Sequence, residues 1–103
     1  MAGSPGIINT QAHTAVTVGS SSTSVLAASE TASYRLMVND SDEVIYINLG
    51  GTAAANTGIR LNASGGSYEM SVSGGNWFNG AITAICASGS KKLLVTQGNA
   101  YWQ

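Results

Sequence analysis

Short β-prone segments recur along this chain at intervals of roughly 8 to 12 residues, and residues that favour turns separate them. No window between these segments carries a helical period of useful length. The pattern predicts an all-β fold, a single-domain β-sandwich or jelly-roll-like barrel of about eight short strands. The predicted strands are Thr14–Val18, Thr23–Ala28, Tyr34–Asn39, Val44–Leu49, Gly58–Leu61, Ser67–Ser71, Ala81–Ala87 and Lys92–Thr96.

The composition indicates one small domain that gains stability from neighbouring copies. The chain has 103 residues, of which 9% are charged and 44% hydrophobic, so it is too short for a two-domain enzyme and too apolar for a disordered segment. Alanine supplies 14 of the apolar residues. At about 25 cal/mol per Å² of buried apolar surface, such a core leaves little surplus over the loss of chain entropy. We therefore expect a homo-oligomer.

The first residues differ from the rest of the chain. Residues 1–13 lack any sustained period and contain Gly3, Pro5 and Gly6, so they are predicted to form an extended N-terminal arm. The remaining residues, 14–103, form the predicted β-sandwich domain.

Two β-hairpins are predicted within the domain. The first joins Tyr34–Asn39 to Val44–Leu49 through the turn-forming residues 40–43. The second pairs residues 59–61 with residues 68–70 across a glycine-containing turn. Because Val44–Leu49 is apolar at nearly every position, we expect it to be a central strand covered on both faces.

Charge and hydropathy exclude several classes of partner. The net charge is −1, the isoelectric point is near 5.5 and the four cations form no stripe, so no nucleic acid partner is predicted. No apolar run approaches the roughly 20 residues that span a bilayer, so no membrane partner is predicted. The single Cys86 cannot form a disulfide within the chain, which is compatible with synthesis in a reducing cytoplasm.

The residues that carry chemistry are few. His13 lies in the predicted arm and Cys86 in a predicted strand, so nucleophilic catalysis has little support, and Cys86 is interpreted as a buried core thiol. Asp40, Asp42 and Glu43 share one turn, where turn capping is favoured over a Ca²⁺ site because an EF-hand pattern is missing. The glycine-rich segments lack the lysine of a Walker loop. We predict no catalytic residue, no metal site and no cofactor, and hence no enzyme.

Several large apolar side chains lie in the predicted arm, in a predicted turn and among the last residues, where a partner molecule would cover them more readily than the core. The candidate interface residues are Ile7, Ile8, Trp77, Phe78, Tyr101 and Trp102. Tryptophan and tyrosine are enriched at subunit contacts, which is the favoured interpretation. The alternative is that the loop aromatics stack on sugar rings, because a sugar offers an apolar face to an aromatic platform.

Three parts of the chain resemble small structural proteins of tailed bacteriophages. These parts are Tyr34-Arg35-Leu36-Met37-Val38-Asn39-Asp40-Ser41-Asp42 leading into Val44–Ala54, then Gly58–Glu69, then Ala84–Gly89. The resemblance implies a virion component on the particle surface and no catalytic role. It carries over no functional residue, since the similar parts form a β scaffold.

The resemblance and the composition together predict a capsid decoration or cement protein. We expect a homo-oligomer, with a trimer favoured, that binds the major capsid protein or other virion proteins and stabilises the head. The expected location is the virion, after synthesis in the cytoplasm of the bacterial host. The alternative function is a tail, fibre or neck component, or a carbohydrate-binding module that recognises host glycans.

Overall fold

The computed structural model describes residues 7–101, with side chains described over residues 11–99, and this range holds eight β-strands and no helix. The predicted all-β class is confirmed. The first and last strands are longer than predicted, and the six others lie close to their predicted bounds. The strands are β1 Ile7–Val18, β2 Thr23–Leu26, β3 Tyr34–Asn39, β4 Ile45–Leu49, β5 Ile59–Leu61, β6 Ser67–Ser71, β7 Ile82–Cys86 and β8 Lys91–Tyr101.

The strands form two four-stranded antiparallel sheets that pack against each other. The first sheet has the order β1-β8-β3-β6 and the second has the order β2-β7-β4-β5. Among the described strands, β4 and β5 are the only consecutive pair that hydrogen-bond to each other. Every other connection carries the chain from one sheet to the other. Strands that follow one another in the sequence therefore mostly face each other across the core.

The core follows the two-residue period of the strands. In β7 the side chains alternate between buried and half-buried, and β3 and β4 show the same alternation. Both sheets therefore contribute one face to a single apolar cluster. Its buried members are Val18, Met37, Ile45, Ile47, Leu61, Met70, Ile82, Ala84, Cys86, Leu93 and Val95.

The two predicted hairpins are wrong. Strand β3 pairs with β6 and β8, whereas β4 pairs with β5 and β7, so residues 40–43 connect the two sheets. Strands β5 and β6 likewise belong to different sheets. Turn-forming residues favour a reversal of the chain, but the same residues serve a hairpin and a corner between sheets equally well. The corner is preferred here because it lets the apolar faces of both strands meet across the core.

Strand β4 occupies an interior position in its sheet, as predicted, but it is not covered on both faces. Ile45 and Ile47 are completely buried, while Tyr46 and Asn48 on the opposite face are half-buried. The connection to β5 ends at Gly58, which has a φ of 84°. A Cβ at Gly58 would lie 2.3 Å from the backbone oxygen of Ile47, so only glycine fits there.

Strands β1 and β8 form a long ribbon. Their register runs from Ile7 opposite Tyr101 to Val18 opposite Lys91, with an irregularity between Ile8 and Gln11. Strand β3 accompanies β8 only as far as Gly98, so the ribbon continues beyond the third strand. The molecule measures 49 × 25 × 19 Å as a result.

The predicted arm of residues 1–13 overlaps this ribbon. Residues 7–13 lie in β1 and pair with β8, so the predicted boundary between residues 13 and 14 falls inside a continuous strand. Residues 1–6 lie outside the described range. An arm that is separate from the sandwich stays a prediction.

Candidate functional site

The loop between β6 and β7 holds the predicted contact residues Trp77 and Phe78, and both are half-buried against the core. The ring of Phe78 lies over Gly50 and Gly80, so closely that a Cβ at Gly80 would be 2.5 Å from Phe78 Cζ. The fold therefore uses part of each aromatic surface that the sequence assigns to partners.

Behind this loop lies Arg35, a completely buried cation that the sequence analysis did not single out. Its Nε donates a hydrogen bond to Gln97 Oε1 at 2.6 Å. One terminal nitrogen donates to the backbone oxygens of Phe78 and Gly80, each at 2.8 Å, and the other donates to that of Ala27 at 2.9 Å. Arg35 thus joins β3, β8 and two loops at one end of the sandwich.

The positive charge of Arg35 is stabilised by neutral oxygen acceptors and by the aromatic ring of Trp77. Each of the acceptors that its guanidinium reaches is an uncharged oxygen. The carbon of the guanidinium lies over the ring of Trp77, 5.2 Å from the ring centroid, which is within range of a cation–π attraction. Burial lowers the pKa of Arg35, because the charged form loses its hydration. We call Arg35, Trp77, Phe78 and Gln97 the Arg35 cluster.

A second polar network closes the opposite end of β3. Asn39 is completely buried, and its Nδ2 donates to the backbone oxygens of Glu43 at 2.7 Å and Leu61 at 3.0 Å. Ser41 Oγ donates to Asn39 Oδ1 at 2.6 Å, and the N–H of Glu43 donates to Ser41 Oγ at 3.3 Å. These bonds cap the turn that follows β3, and the side chains that supply them are Asn39 and Ser41.

The acidic residues of this turn have partners of their own. Lys91 Nζ lies 2.8 Å from Asp42 Oδ1, and this contact lowers the pKa of Asp42 and raises that of Lys91. Glu43 accepts hydrogen bonds from the N–H and the hydroxyl of Ser88, which lower its pKa. Within residues 7–101 no group of three His, Cys, Asp or Glu side chains is placed to hold a metal ion.

The two residues considered for nucleophilic catalysis lie in different surroundings. His13 is exposed on β1, with Nδ1 2.9 Å from Thr96 Oγ1. Cys86 is buried in the core, and its thiol donates to the backbone oxygen of Val18 at 3.3 Å. The interpretation of Cys86 as a buried core thiol is confirmed.

The outer face of the first sheet carries an apolar patch. Register places Ala15 and Val38 on either side of Leu94, which is 39% exposed, and Leu36 lies two residues before Val38 on the same face. We call these four residues the outer patch. At its rim the hydroxyl of Tyr34 donates to Glu69 Oε2 at 2.5 Å. The sequence analysis missed this patch because it did not assign the outward face of β3.

The other predicted contact residues lie at the far end of the ribbon. The backbones of Ile7 and Tyr101 face each other, and Ile8 faces Ala100. Trp102 lies outside the described range. The structure thus brings three of the six candidate interface residues to one end of the molecule and places Trp77 and Phe78 in the separate loop described above.

Within the described range, no helix is long and apolar enough to cross a membrane. Comparisons of this chain with family models, with curated proteins and with solved structures found no match.

Proposed function

We propose that this chain is a structural protein of a tailed-bacteriophage virion, and that it decorates the capsid as a homo-oligomer bound to the major capsid protein. The observation that carries the proposal is the strand order of the two sheets, β1-β8-β3-β6 and β2-β7-β4-β5. The resemblance of Tyr34–Asp42, Val44–Ala54, Gly58–Glu69 and Ala84–Gly89 to small phage structural proteins supports the same conclusion.

The strand order favours a jelly roll, which is the finer form of the predicted sandwich. A jelly roll has eight strands in two sheets joined by two Greek keys, and it is an architecture of viral capsid proteins and of lectins. Here the first strand pairs with the eighth, the second with the seventh and the third with the sixth. That nested pairing is expected when a long antiparallel ribbon folds over on itself.

The outer patch supports attachment to other proteins. Ala15, Leu36, Val38 and Leu94 are apolar neighbours on this outward face, with Glu69 at the rim opposite Leu36, and apolar patches are typical of interaction sites. In the proposed mechanism each oligomer lies across a junction between capsid subunits and adds buried area there. Several weak contacts on one rigid oligomer combine into tight binding, because after the first contact the others form within one molecule.

The copy number and the arm are part of the proposal. A closed oligomer of identical copies would give every capsid junction the same set of contacts, and the copy number expected from the sequence is three. The predicted arm of residues 1–13 would take part in this contact through its residues 7–13, which lie in β1. We also propose that the chain is made in the bacterial cytoplasm and resides in the virion.

The competing function is recognition of host glycans by a tail, fibre or neck component. It has the lectin association of jelly rolls in its favour. The geometry of the loop favours it less, because the guanidinium of Arg35 occupies one face of Trp77 and Phe78 packs over two glycines. Capsid decoration is therefore the function we favour, and glycan binding is the result that would contradict it.

The experiment adds the purified chain to expanded empty heads of the encoding phage that lack it. We expect the chain to sediment with the heads and to raise the temperature at which they rupture. Failure to bind heads, together with retention on a glycan array or on host cells, would overturn the proposal in favour of the competing function.

Trp77→Ala separates the two functions further. Under capsid decoration it weakens assembly or head binding and leaves no glycan signal to lose, whereas under glycan recognition it abolishes glycan retention at unchanged oligomer size. Val72→Ala is the matched control, since Val72 lies in the same loop and is 53% exposed. The control should behave as the unmodified chain in both assays.

A further inference from the structure

We propose that the free edge of β1 is the surface through which this chain associates with itself. In this arrangement β1 pairs antiparallel with β1 of a second copy across a twofold axis, and the two first sheets become one continuous sheet. The inference rests on the homo-oligomer of the proposed function and specifies the contact that forms it.

Strand β1 is a long edge with no electrostatic protection. It lies at the end of the first sheet, with β8 as its strand partner in the described range. Its 12 residues, at about 3.4 Å per residue, give an edge on the order of 40 Å long. The strand contains no Lys, Arg, Asp, Glu or Pro. Among the side chains of residues 11–18, the exposed ones are Ala12, His13, Thr14, Ala15 and Thr17.

An edge of this kind is rarely left open. A strand at the end of a sheet presents a row of unpaired backbone N–H and C=O groups, which is a template for another strand. Natural sheets block such edges with charged side chains, proline, bulges or very short strands. Strand β1 has one irregularity, near its start between Ile8 and Gln11, and regular pairing from Gln11 to Val18.

The two edges of the second sheet are protected in these ways. Strand β2 has four residues, and its register shifts between Ser24 and Leu26. Strand β5 has three residues, of which Arg60 is exposed. Neither edge offers a long regular row of backbone groups to a partner.

The far edge of the first sheet is closed by a side chain. Asn76 lies beside β6, where its Oδ1 accepts from the N–H of Ser71 at 3.1 Å and its Nδ2 donates to the backbone oxygen of Glu69 at 2.8 Å. The amide of Asn76 thus occupies two backbone positions that an added strand would use. Glu69 also places a carboxylate on this five-residue strand.

The contrast between β1 and the other edges points to a second copy as its partner. No other edge in the described part of the chain matches the length of β1, so β1 of another copy is the one edge that can pair along its whole length. A neutral strand also meets its own copy without repulsion between like charges. The resulting contact is isologous, with the same surface on both sides, and so favours an even copy number over the trimer expected from the sequence.

Symmetry restricts the register. Residues that face each other across an antiparallel pair point to the same face of the sheet. Since side chains alternate along a strand, the twofold axis must pass midway between one residue of β1 and the same residue of the second copy, so that this residue faces its own copy. Maximal overlap of two 12-residue strands places that residue at or next to the middle of β1, at Ala12 or His13, or at Thr14 with a shorter overlap.

The first test places charges on the edge. We expect light scattering of the unmodified chain to give twice the 10.4 kDa chain mass. In Ala12→Lys with Thr14→Lys, the like charges brought together should raise the dissociation constant by roughly tenfold or more. Both residues are exposed, so the β-sheet circular dichroism should not change. The matched control is Thr52→Lys with Ala54→Lys, which adds the same charge to the same residue types, both exposed, in the loop after β4 and should remain dimeric.

The second test does not depend on charge or on the stability of the lysine variant. Cysteine is placed singly at Ala12, His13 and Thr14, and the protein is oxidised with oxidised glutathione. Antiparallel partners have Cα atoms about 4.5 to 5.5 Å apart, within reach of a disulfide. The residue on the axis should therefore link two chains, whereas Ala54→Cys should not. Cys86 is buried and offers no competing thiol.

The outcomes distinguish this inference from the proposed function. A monomer or trimer that binds heads, or a dimer that forms no disulfide at any of the three positions, would overturn the pairing of β1 and leave decoration standing. A dimer linked through β1 that does not bind heads would support the pairing and overturn decoration. Binding of an extended segment of the capsid protein along β1 of a monomer would identify a different occupant and overturn the inference.

Discussion

Charged side chains lie at both ends of β3, but the charges are compensated in different ways at the two ends. At one end Arg35 is completely buried, and its guanidinium donates to four uncharged oxygens beneath Trp77. At the other end the charges of Asp42 and Lys91 stay near water and pair with each other. We therefore expect the ion pair of Asp42 and Lys91 to contribute less to stability than the Arg35 network. Removing Arg35 leaves four acceptors without their donor, whereas an exposed ion pair contributes little.

The largest effect is expected for Arg35→Met. The change leaves the backbone oxygens of Ala27, Phe78 and Gly80 without their donor at a partly buried site, which should lower the free energy of unfolding by about 3 kcal/mol. Urea unfolding at neutral pH measures this loss. Arg35→Lys is the control for charge, and it should lose less because an ammonium group can still reach some of the acceptors. Unchanged or higher stability of Arg35→Met would break the comparison, since the buried network would then contribute nothing.

Asn39→Ala tests the buried part of the opposite end. It removes the donor of the Glu43 and Leu61 backbone oxygens and the acceptor of the Ser41 hydroxyl, so we expect a loss of about 1 to 3 kcal/mol. Asn62→Ala, an exposed asparagine beside β5, is the control and should change stability by less than about 0.5 kcal/mol. Equal losses in both variants would show that burial of Asn39 does not decide its contribution.

The hydrogen bond between Tyr34 and Glu69 should contribute to stability in a way that depends on pH. Its hydrogen bond to the carboxylate of Glu69 is the main reason why its pKa is raised from 10.0 to about 12. The folded state therefore holds this proton more tightly than the unfolded chain, so the bond stabilises fully below pH 10 and its contribution is lost as the pH rises towards 12. Because the pair is near the surface, we expect less than about 1 kcal/mol.

The difference in urea midpoint between the unmodified chain and Tyr34→Phe, followed across this alkaline range, measures that contribution. Tyr46→Phe is the matched control, since the hydroxyl of Tyr46 donates to the uncharged Oδ1 of Asn56. The difference for Tyr34→Phe should shrink as the pH rises. A difference that grows with pH would contradict the sign given above.

The smallest effect is expected for Asp42→Asn. The hydrogen bond with Lys91 lowers the pKa of Asp42, so any contribution is present above the ordinary carboxyl pKa and is lost as the pH falls. We expect a shift in the urea midpoint smaller than that of the other variants, and no shift at about 1 M salt, where screening acts within a few ångströms. Asp40→Asn, an exposed neighbouring acid outside the ion pair, is the control. A loss as large as that of Arg35→Met would reverse the ranking of the two ends.

Much of the fold could be predicted from local pattern. Strand β3 begins and ends where the sequence places it, and β7 lies within its predicted range, because alternation of apolar and small residues and flanking turn residues act over a few positions. The class of the fold follows from the absence of helical windows. These features depend on near neighbours alone, which a single sequence contains.

The pairing of strands depends on distant residues and was not predicted. Residues 40–43 favour a turn whether β3 and β4 share a sheet or face each other, so local chemistry gives no choice between a hairpin and a corner. Arg35 shows the same limit for the site. Its alternation with Met37 was visible, but its burial depends on Ala27, Phe78, Gly80 and Gln97, which come from separate parts of the chain.

The sequence identifies candidate contact residues from their residue type, but it does not show what surrounds them in the fold. Trp77 and Phe78 were correctly placed in a loop, since glycine and asparagine flank them. Their contacts with Arg35, Gly50 and Gly80 could not be read from that flanking sequence. The neutrality of β1 was visible in the sequence, but its meaning required the sheet order that makes β1 an edge.

Electron cryomicroscopy of the phage particles to which we propose to assign this chain tests the proposed role most directly. Symmetric copies of an eight-stranded sandwich on the outside of the head, seated over junctions between capsid subunits, are the predicted result. A head surface bare of this chain, or its presence at the tail tip alone, would contradict capsid decoration.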